Sequence, residues 1–93
     1  MYVTVRNYAG GHAFADALVA SQDDVRGVIG TIAGFQAYYV LRDDDGVTTI
    51  SVFADQAGAD ASTSAAAAYV AENMADVAPA PPVITKGEVL LSF

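Results

Sequence analysis

Residues 35–54 read FQAYYVLRDDDGVTTISVFA, and this stretch decides the fold. Residues 35–42 and 47–54 are rich in β-branched and aromatic side chains, which is typical of β-strands. Residues 43–46 separate these two runs with the sequence Asp-Asp-Asp-Gly, and an Asp-Gly pair readily supplies the positive φ angles of a tight hairpin turn. The stretch therefore predicts two antiparallel strands joined by a short turn.

The second strand of this hairpin has no clearly polar face. Its alternating side chains are Val47, Ser51 and Phe53 on one side and Ile50, Val52 and Ala54 on the other. An antiparallel sheet with one face in water alternates apolar and polar residues instead. We therefore expect helices to cover one face of the sheet and a second copy of the chain to cover the other. The pattern predicts a homodimer formed through the open sheet face.

Towards the N-terminus, residues 2–8 form another strand-like run that is broken at Gly10 and Gly11. Apolar residues then recur at steps of three and four from residue 12 to residue 32, which predicts one amphipathic helix. Gly27 weakens its last turns, so we expect fraying there. Gly34 is placed to take the left-handed conformation that ends a helix.

Towards the C-terminus, Asp55 is a good N-cap for a second helix, predicted to run to about residue 77. Prolines at positions 79, 81 and 82 stop this helix, and residues 88–93 are predicted to form the last strand. The order is β-α-β-β-α-β over a single domain, residues 1–93. This order is that of the ferredoxin-like α+β fold, a four-stranded antiparallel sheet with two helices on one face.

Composition excludes several classes of function. Eleven acidic and four basic residues give a net charge of −7, which would repel a phosphate backbone and argues against nucleic-acid binding. Cysteine is absent, so the chain has no disulfide and no thiol nucleophile. The first residues do not resemble a targeting signal, and no apolar run approaches the roughly 18 residues of a membrane span. These features predict a soluble cytoplasmic protein that does not bind membranes.

Four short segments, together with the element order, carry a resemblance to a known superfamily. They are Ile32-Ala33-Gly34-Phe35, Val52-Phe53-Ala54-Asp55, Ala80-Pro81-Pro82 and Gly87-Glu88-Val89. Over nearly its whole length the chain resembles the dimeric α/β-barrel proteins, which include the antibiotic-biosynthesis-monooxygenase-like families, and it is similar to uncharacterised small proteins of that superfamily. The resemblance implies a dimeric α/β barrel in which two sheets pack face to face and a pocket lies between each sheet and its helices.

Two sets of residues could support catalysis or metal binding but have simpler explanations. His12, the only histidine, stands at the predicted start of the first helix, where it could act as a base or simply follow the glycine turn as a surface residue. No serine or cysteine nucleophile accompanies it at a recognisable spacing. Residues 43–45 offer three carboxylates, but the loop lacks the further ligands of a calcium site and is better explained as a solvated turn. We predict no metal site.

Asn7 is a candidate for the pocket because it shares a strand face with Val3 and Val5. If those two valines face the helices, Asn7 points into the space between sheet and helices. Some haem-degrading and cofactor-free oxygenases of the resembling superfamily use an asparagine on their first strand together with a tryptophan and, for haem, a histidine on the second helix. This chain has no tryptophan, and its histidine is elsewhere. We therefore expect no haem and no other cofactor.

Tyrosines are the remaining candidates for ligand binding, since a phenol can hydrogen-bond a ligand while its ring packs against it. The set comprises Tyr8, Tyr38, Tyr39 and Tyr69. Tyr38 and Tyr39 are adjacent on a strand, so they must point to opposite faces, and the sequence leaves open which one faces the pocket. Each tyrosine could equally well have a packing role.

The sequence leaves three functions open. In the first, the protein is a homodimer of undetermined biochemical role that binds a small apolar or aromatic ligand between sheet and helices. In the second, it is a cofactor-independent monooxygenase acting on an aromatic or polyketide-like compound, as the resemblance implies. A regulatory or partner-binding module is a third possibility. An open pocket lined by Asn7 and tyrosine hydroxyls would favour the monooxygenase, whereas a packed, dry space would exclude it.

Overall fold

A computed structural model describes all 93 residues, and its strands form one antiparallel sheet. The elements are β1 (Tyr2–Ala9), α1 (His12–Ala20), α2 (Gln22–Ile29), β2 (Phe35–Arg42), β3 (Gly46–Phe53), α3 (Gln56–Asn73) and β4 (Val83–Glu88). The strand order across the sheet is β2-β3-β1-β4, and the helices pack on one face. The predicted ferredoxin-like α+β fold is confirmed, except that its first helix is divided in two.

The central hairpin forms as predicted, but its turn has a different physical basis. Asp43 closes the turn with its carboxylate, whose Oδ1 accepts hydrogen bonds from the amides of Asp45 (3.0 Å) and Gly46 (2.8 Å). No residue of this turn has a positive φ, so the expectation of a left-handed Asp-Gly pair is wrong. Gly46 is required for another reason, because a Cβ there would lie 2.0 Å from the carbonyl oxygen of Tyr8.

The segment predicted as one helix is broken at Ser21, which has a φ of −107°. The Ser21 amide donates to the carbonyl of Ala17 and its own carbonyl accepts from Val25, so both backbone groups of Ser21 are hydrogen-bonded at the break. Fraying at Gly27 is not observed, since that residue lies inside α2. Gly34 has the expected left-handed conformation (φ +86°), five residues beyond Ile29, the last residue of α2.

The third helix begins as the sequence predicts. Asp55 is its N-cap, with its Oδ1 accepting a hydrogen bond of 3.0 Å from the Gly58 amide. The helix ends at Asn73, before the expected residue 77.

The last strand is Val83–Glu88 and not residues 88–93, which corrects the prediction from sequence. It pairs with β1 from Asn7 opposite Val83 to Tyr2 opposite Glu88. The Val89 amide then donates to the Met1 carbonyl. The apolar residues Leu90, Leu91 and Phe93 lie outside the sheet and are exposed.

The two faces of the sheet have different surroundings. On β1, every second side chain points towards the helices: Tyr2, Thr4, Arg6 and Tyr8. The core beneath the helices comprises Phe14, Leu18, Val25, Ile29, Phe53, Ala59 and Met74. The opposite face carries Val3, Val5, Ile50 and Val52, all half-buried, together with the exposed Tyr39 and Leu41. This open face is uncovered in a single chain. No helix has the length and apolar character to cross a bilayer.

Candidate functional site

A cavity of about 380 Å³ lies between the sheet and the helices. Its floor is the helix-facing side of the sheet, and its walls come from α1, α2, α3 and the proline-rich connector, residues 78–82. Most of the lining is hydrophobic, with Phe14, Leu18, Ile29, Ala66 and Val70 among the contributors. The alanine-rich helix α3 allows this space to remain open, because its small side chains do not fill the gap above the sheet.

Arg6 is the most unusual residue of the cavity. Its side chain leaves the middle of β1 towards the helices and is only 6% exposed. Nη1 donates to Ser51 Oγ on β3 (3.1 Å), and Nη2 donates to Thr63 Oγ1 on α3 (2.5 Å). The guanidinium thus links the sheet to the long helix through two neutral hydroxyls. Arg6 is also the only charged residue that lines the cavity.

Three phenols line this cavity with Arg6, and burial perturbs two of them, Tyr8 and Tyr38. Burial raises the pKa of Tyr8, and the Arg6 charge opposes that effect. Burial likewise raises the pKa of Tyr38, again opposed by Arg6. Both phenols are therefore neutral at physiological pH and can act as hydrogen-bond donors. The ring of Tyr8 also packs on Phe14, with centroids 5.1 Å apart, so it forms part of the apolar wall.

Known structures share this architecture. No protein-family model and no curated protein matches the chain. A protein of unknown function from Nitrosomonas europaea, NE2512, is 27% identical, with 99% of this chain and 90% of that one covered and a TM-score of 0.69. A mutant of MhuD, solved with two manganese protoporphyrin IX molecules per active site, gives a TM-score of 0.77 at 14% identity, over 100% of this chain and 98% of that one.

A monooxygenase from the gene ActVA-Orf6 of Streptomyces coelicolor, in complex with nanaomycin D, is 20% identical and covers the same architecture. The match spans 98% of this chain and 91% of that one, with a TM-score of 0.64. The chain has the antibiotic-biosynthesis-monooxygenase-like fold. The resemblance seen in the sequence is confirmed at the level of the fold, and within this fold the cavity is the space between sheet and helices.

Within the antibiotic-biosynthesis-monooxygenase-like fold, three of the candidate residues from the sequence line the cavity, namely Tyr8, Tyr38 and Tyr69. Tyr38 points towards the helices, so Tyr38 and not the adjacent Tyr39 faces the cavity. Tyr69 lines the cavity from α3, and its hydroxyl is 3.4 Å from Asp24 Oδ2. Tyr39 lies on the open face and is 55% exposed.

Asn7 and His12 lie outside the cavity. Val3 and Val5 face away from the helices, so Asn7 does too, and its Nδ2 donates to Thr48 Oγ1 (2.9 Å) on the open face. The expectation that Asn7 points between sheet and helices is therefore wrong. His12 is exposed at the start of α1 and does not contribute to the lining.

Arg6 is the cavity residue that the sequence analysis missed. The signal was present in the alternation of β1, because Arg6 lies on the face opposite Asn7, together with Thr4 and Tyr8. Which face of β1 is assigned to the helices determines which residue is predicted in the cavity. Val3 and Val5 suggested the wrong face.

Proposed function

We propose that this protein binds a small aromatic or otherwise apolar ligand in the cavity between the sheet and the helices. The observation that carries the proposal is a cavity of about 380 Å³ that has apolar walls and a small group of polar side chains at its floor. Ligand sites in proteins generally have this character, and their volumes begin at about 300 Å³. A cavity of this size is large for an accidental packing defect in a chain of 93 residues.

The lining suits an aromatic ring with one polar substituent. Phe14 and the ring of Tyr8 offer flat surfaces for packing, while the phenols of Tyr8 and Tyr38 and the guanidinium of Arg6 converge on the same space. Apolar contact supplies most of the binding free energy in such sites, and a few polar groups fix the orientation of the ligand.

Binding of the fluorescent dye N-phenyl-1-naphthylamine tests the proposal. We expect the dye to bind with enhanced emission, and the substitution Ala66→Phe to weaken binding at least about tenfold because the new ring fills the cavity. Ala68→Phe is the matched control, since Ala68 is exposed on the same helix and does not line the cavity. Equal binding by the parent and Ala66→Phe would contradict the proposal, as would no binding to the parent.

A second candidate function is that of a cofactor-independent monooxygenase. Arg6, next to neutral phenols in an apolar cavity, can stabilise the phenolate form of a bound phenol or quinol, which is the electron-rich form that donates electrons most readily. A structural neighbour from Streptomyces coelicolor is a monooxygenase bound to nanaomycin D, which is consistent with this candidate. Oxygen consumption with a dihydroxynaphthalene, compared between the parent and Arg6→Met, distinguishes catalysis from binding alone.

A porphyrin fits this cavity poorly. Its lining contains no histidine, cysteine or methionine, so a haem iron would find only phenol and threonine hydroxyl oxygens as side-chain ligands. The only histidine is exposed and lies outside the cavity. We therefore propose no reaction that involves haem.

We also propose that a second copy of the chain covers the open face. Val3, Val5, Ile50 and Val52 form its centre, and Tyr39 and Leu41 extend it along β2. Soluble monomers rarely expose apolar patches of this extent, and a two-fold dimer buries the same patch of both copies. Because the cavity lies on the other side of the sheet, the dimer leaves it accessible.

A further inference from the structure

We infer that the ligand of the cavity is an aromatic monoanion whose negative group pairs with the guanidinium of Arg6. This inference rests on the proposed function, because it specifies the chemical class of the ligand that the same cavity binds. It goes beyond a preference for apolar compounds, since it predicts that a neutral analogue of the same shape binds more weakly.

The inference rests on which of the four basic residues form ion pairs with acidic residues. Arg26 lies 3.9 Å from Asp23, Arg42 pairs with Asp16, and Lys86 lies 3.7 Å from Asp60. All three are exposed or half-exposed, yet each has an aspartate partner. Arg6 is the most buried of the four and has no acidic partner, although the chain has eleven acidic residues. The missing partner of Arg6 is therefore not explained by a shortage of carboxylates.

Burial makes this unpaired charge costly. A cation taken out of water loses hydration free energy that two neutral hydroxyls replace only in part. Ser51 and Thr63 use two of the five N–H donors of the guanidinium, which leaves donors for a ligand oxygen. No buried side-chain nitrogen or oxygen lacks a hydrogen-bond partner, so Nε of Arg6, which has no partner within the protein, is not sealed inside the core. An anion in the cavity would supply the missing countercharge.

The other polar groups of the cavity favour an anion as well. Tyr8, Tyr38 and Tyr69 are the only other ionisable residues of the lining, and no aspartate or glutamate is among them. Neutral phenols can donate hydrogen bonds to a carboxylate or phenolate oxygen beside the guanidinium. Outside the cavity the net charge of −7 repels anions, so attraction to an anionic ligand is confined to the surroundings of Arg6.

Calorimetric titration with 1-naphthoate and 1-naphthamide tests the inference. The two compounds have the same rings and nearly the same shape, and they differ in the charge of one substituent. We expect the parent protein to bind 1-naphthoate at least about tenfold more tightly than 1-naphthamide, because hydrogen bonds to charged groups are stronger than neutral ones. In Arg6→Met we expect this preference to disappear, so that the affinities for the two compounds lie within about threefold of each other.

Arg42→Met is the matched control, since it removes one positive charge from a residue outside the cavity, and it should keep the preference for 1-naphthoate. Binding of 1-naphthamide to Arg6→Met shows in the same titration that the cavity has survived the substitution. The ratio of the affinities for 1-naphthoate and 1-naphthamide is measured in the parent protein and requires no variant. The inference therefore stays testable even if Arg6→Met does not fold.

Equal affinity of the parent for the two compounds would overturn the inference and leave the proposed function standing. A preference for 1-naphthoate that persists in folded Arg6→Met would also overturn it, because the anion would then bind elsewhere. If N-phenyl-1-naphthylamine and both naphthalene derivatives fail to bind the parent, the proposed function fails and the inference fails with it.

Discussion

Replacing Phe53 by alanine is expected to lower the free energy of unfolding by about 3–5 kcal/mol, the usual cost of removing a large aromatic ring from a protein core. Phe53 ends β3, is 0% exposed and packs edge-on against Phe35 at a centroid distance of 5.7 Å. Helix α3 crosses directly above this ring, since a Cβ on Gly58 would lie 2.8 Å from Phe53 Cδ1. Truncation therefore leaves a hole at the place where sheet and helix are closest.

Urea unfolding followed by circular dichroism measures this effect. A domain of this length has a total stability of about 5–14 kcal/mol, so the loss would be a large fraction of it. Phe93→Ala is the matched control, because Phe93 is fully exposed at the C-terminus and its removal should change stability by less than about 0.5 kcal/mol. Similar losses for the two variants would show that Phe53 is not the centre of the core.

The substitution Val52→Asp is expected to convert the proposed dimer into monomers. Val52 lies on the open face of a central strand, opposite Val3 of β1 and Ala37 of β2. In a two-fold interface each copy contributes one such residue, so the substitution buries two unpaired carboxylates at a cost of several kcal/mol. We expect the dissociation constant of the dimer to rise by a factor of about 100 or more.

Sedimentation equilibrium of the parent and the variant at the same concentrations measures the change. Val19→Asp is the control, since Val19 is an exposed valine of α1 on the helical side of the molecule, and this variant should remain dimeric. A parent protein that sediments as a monomer at micromolar concentration would contradict the proposed interface. An unchanged association constant in Val52→Asp would place the interface elsewhere on the surface.

The hairpin at the centre of the fold could be predicted because its signals are local. Strand propensity, the break at residues 43–46 and the two-sided apolar character of β3 all depend on neighbouring residues. The details of the turn could not be predicted in the same way. Gly46 is required by the nearby carbonyl of Tyr8, a contact between residues far apart in sequence.

The last strand shows how tertiary pairing overrides local propensity. The apolar C-terminal residues Leu90, Leu91 and Phe93 favoured a strand over residues 88–93, whereas Lys86 and Gly87 within the actual strand did not. The position of β4 follows from its pairing with β1, in which Val83 lies opposite Asn7 and Glu88 opposite Tyr2. The pairing partner is not visible in a local pattern.

The site was predicted only in part because the face of β1 was ambiguous. Val3 and Val5 are apolar enough to suggest the core, whereas Thr4 and Arg6 are the residues that the helices cover. A shift of one residue in the assignment exchanges the two faces of a strand. For this reason the sequence predicted Asn7 in the cavity, where the structure has Arg6. Tyr38 and Tyr69 were found because an aromatic residue with a polar group suits a ligand site on either assignment.

We propose that a ligand occupies the space between sheet and helices beside Arg6. Crystals soaked with 6-bromo-2-naphthoate test it most directly, because the anomalous signal of bromine locates the ring independently of any interpretation of the cavity. We expect a bromine peak between the sheet and α3, with the carboxylate within hydrogen-bond distance of the Arg6 guanidinium. A cavity without bromine, or a peak only on the open face of the sheet, would contradict it.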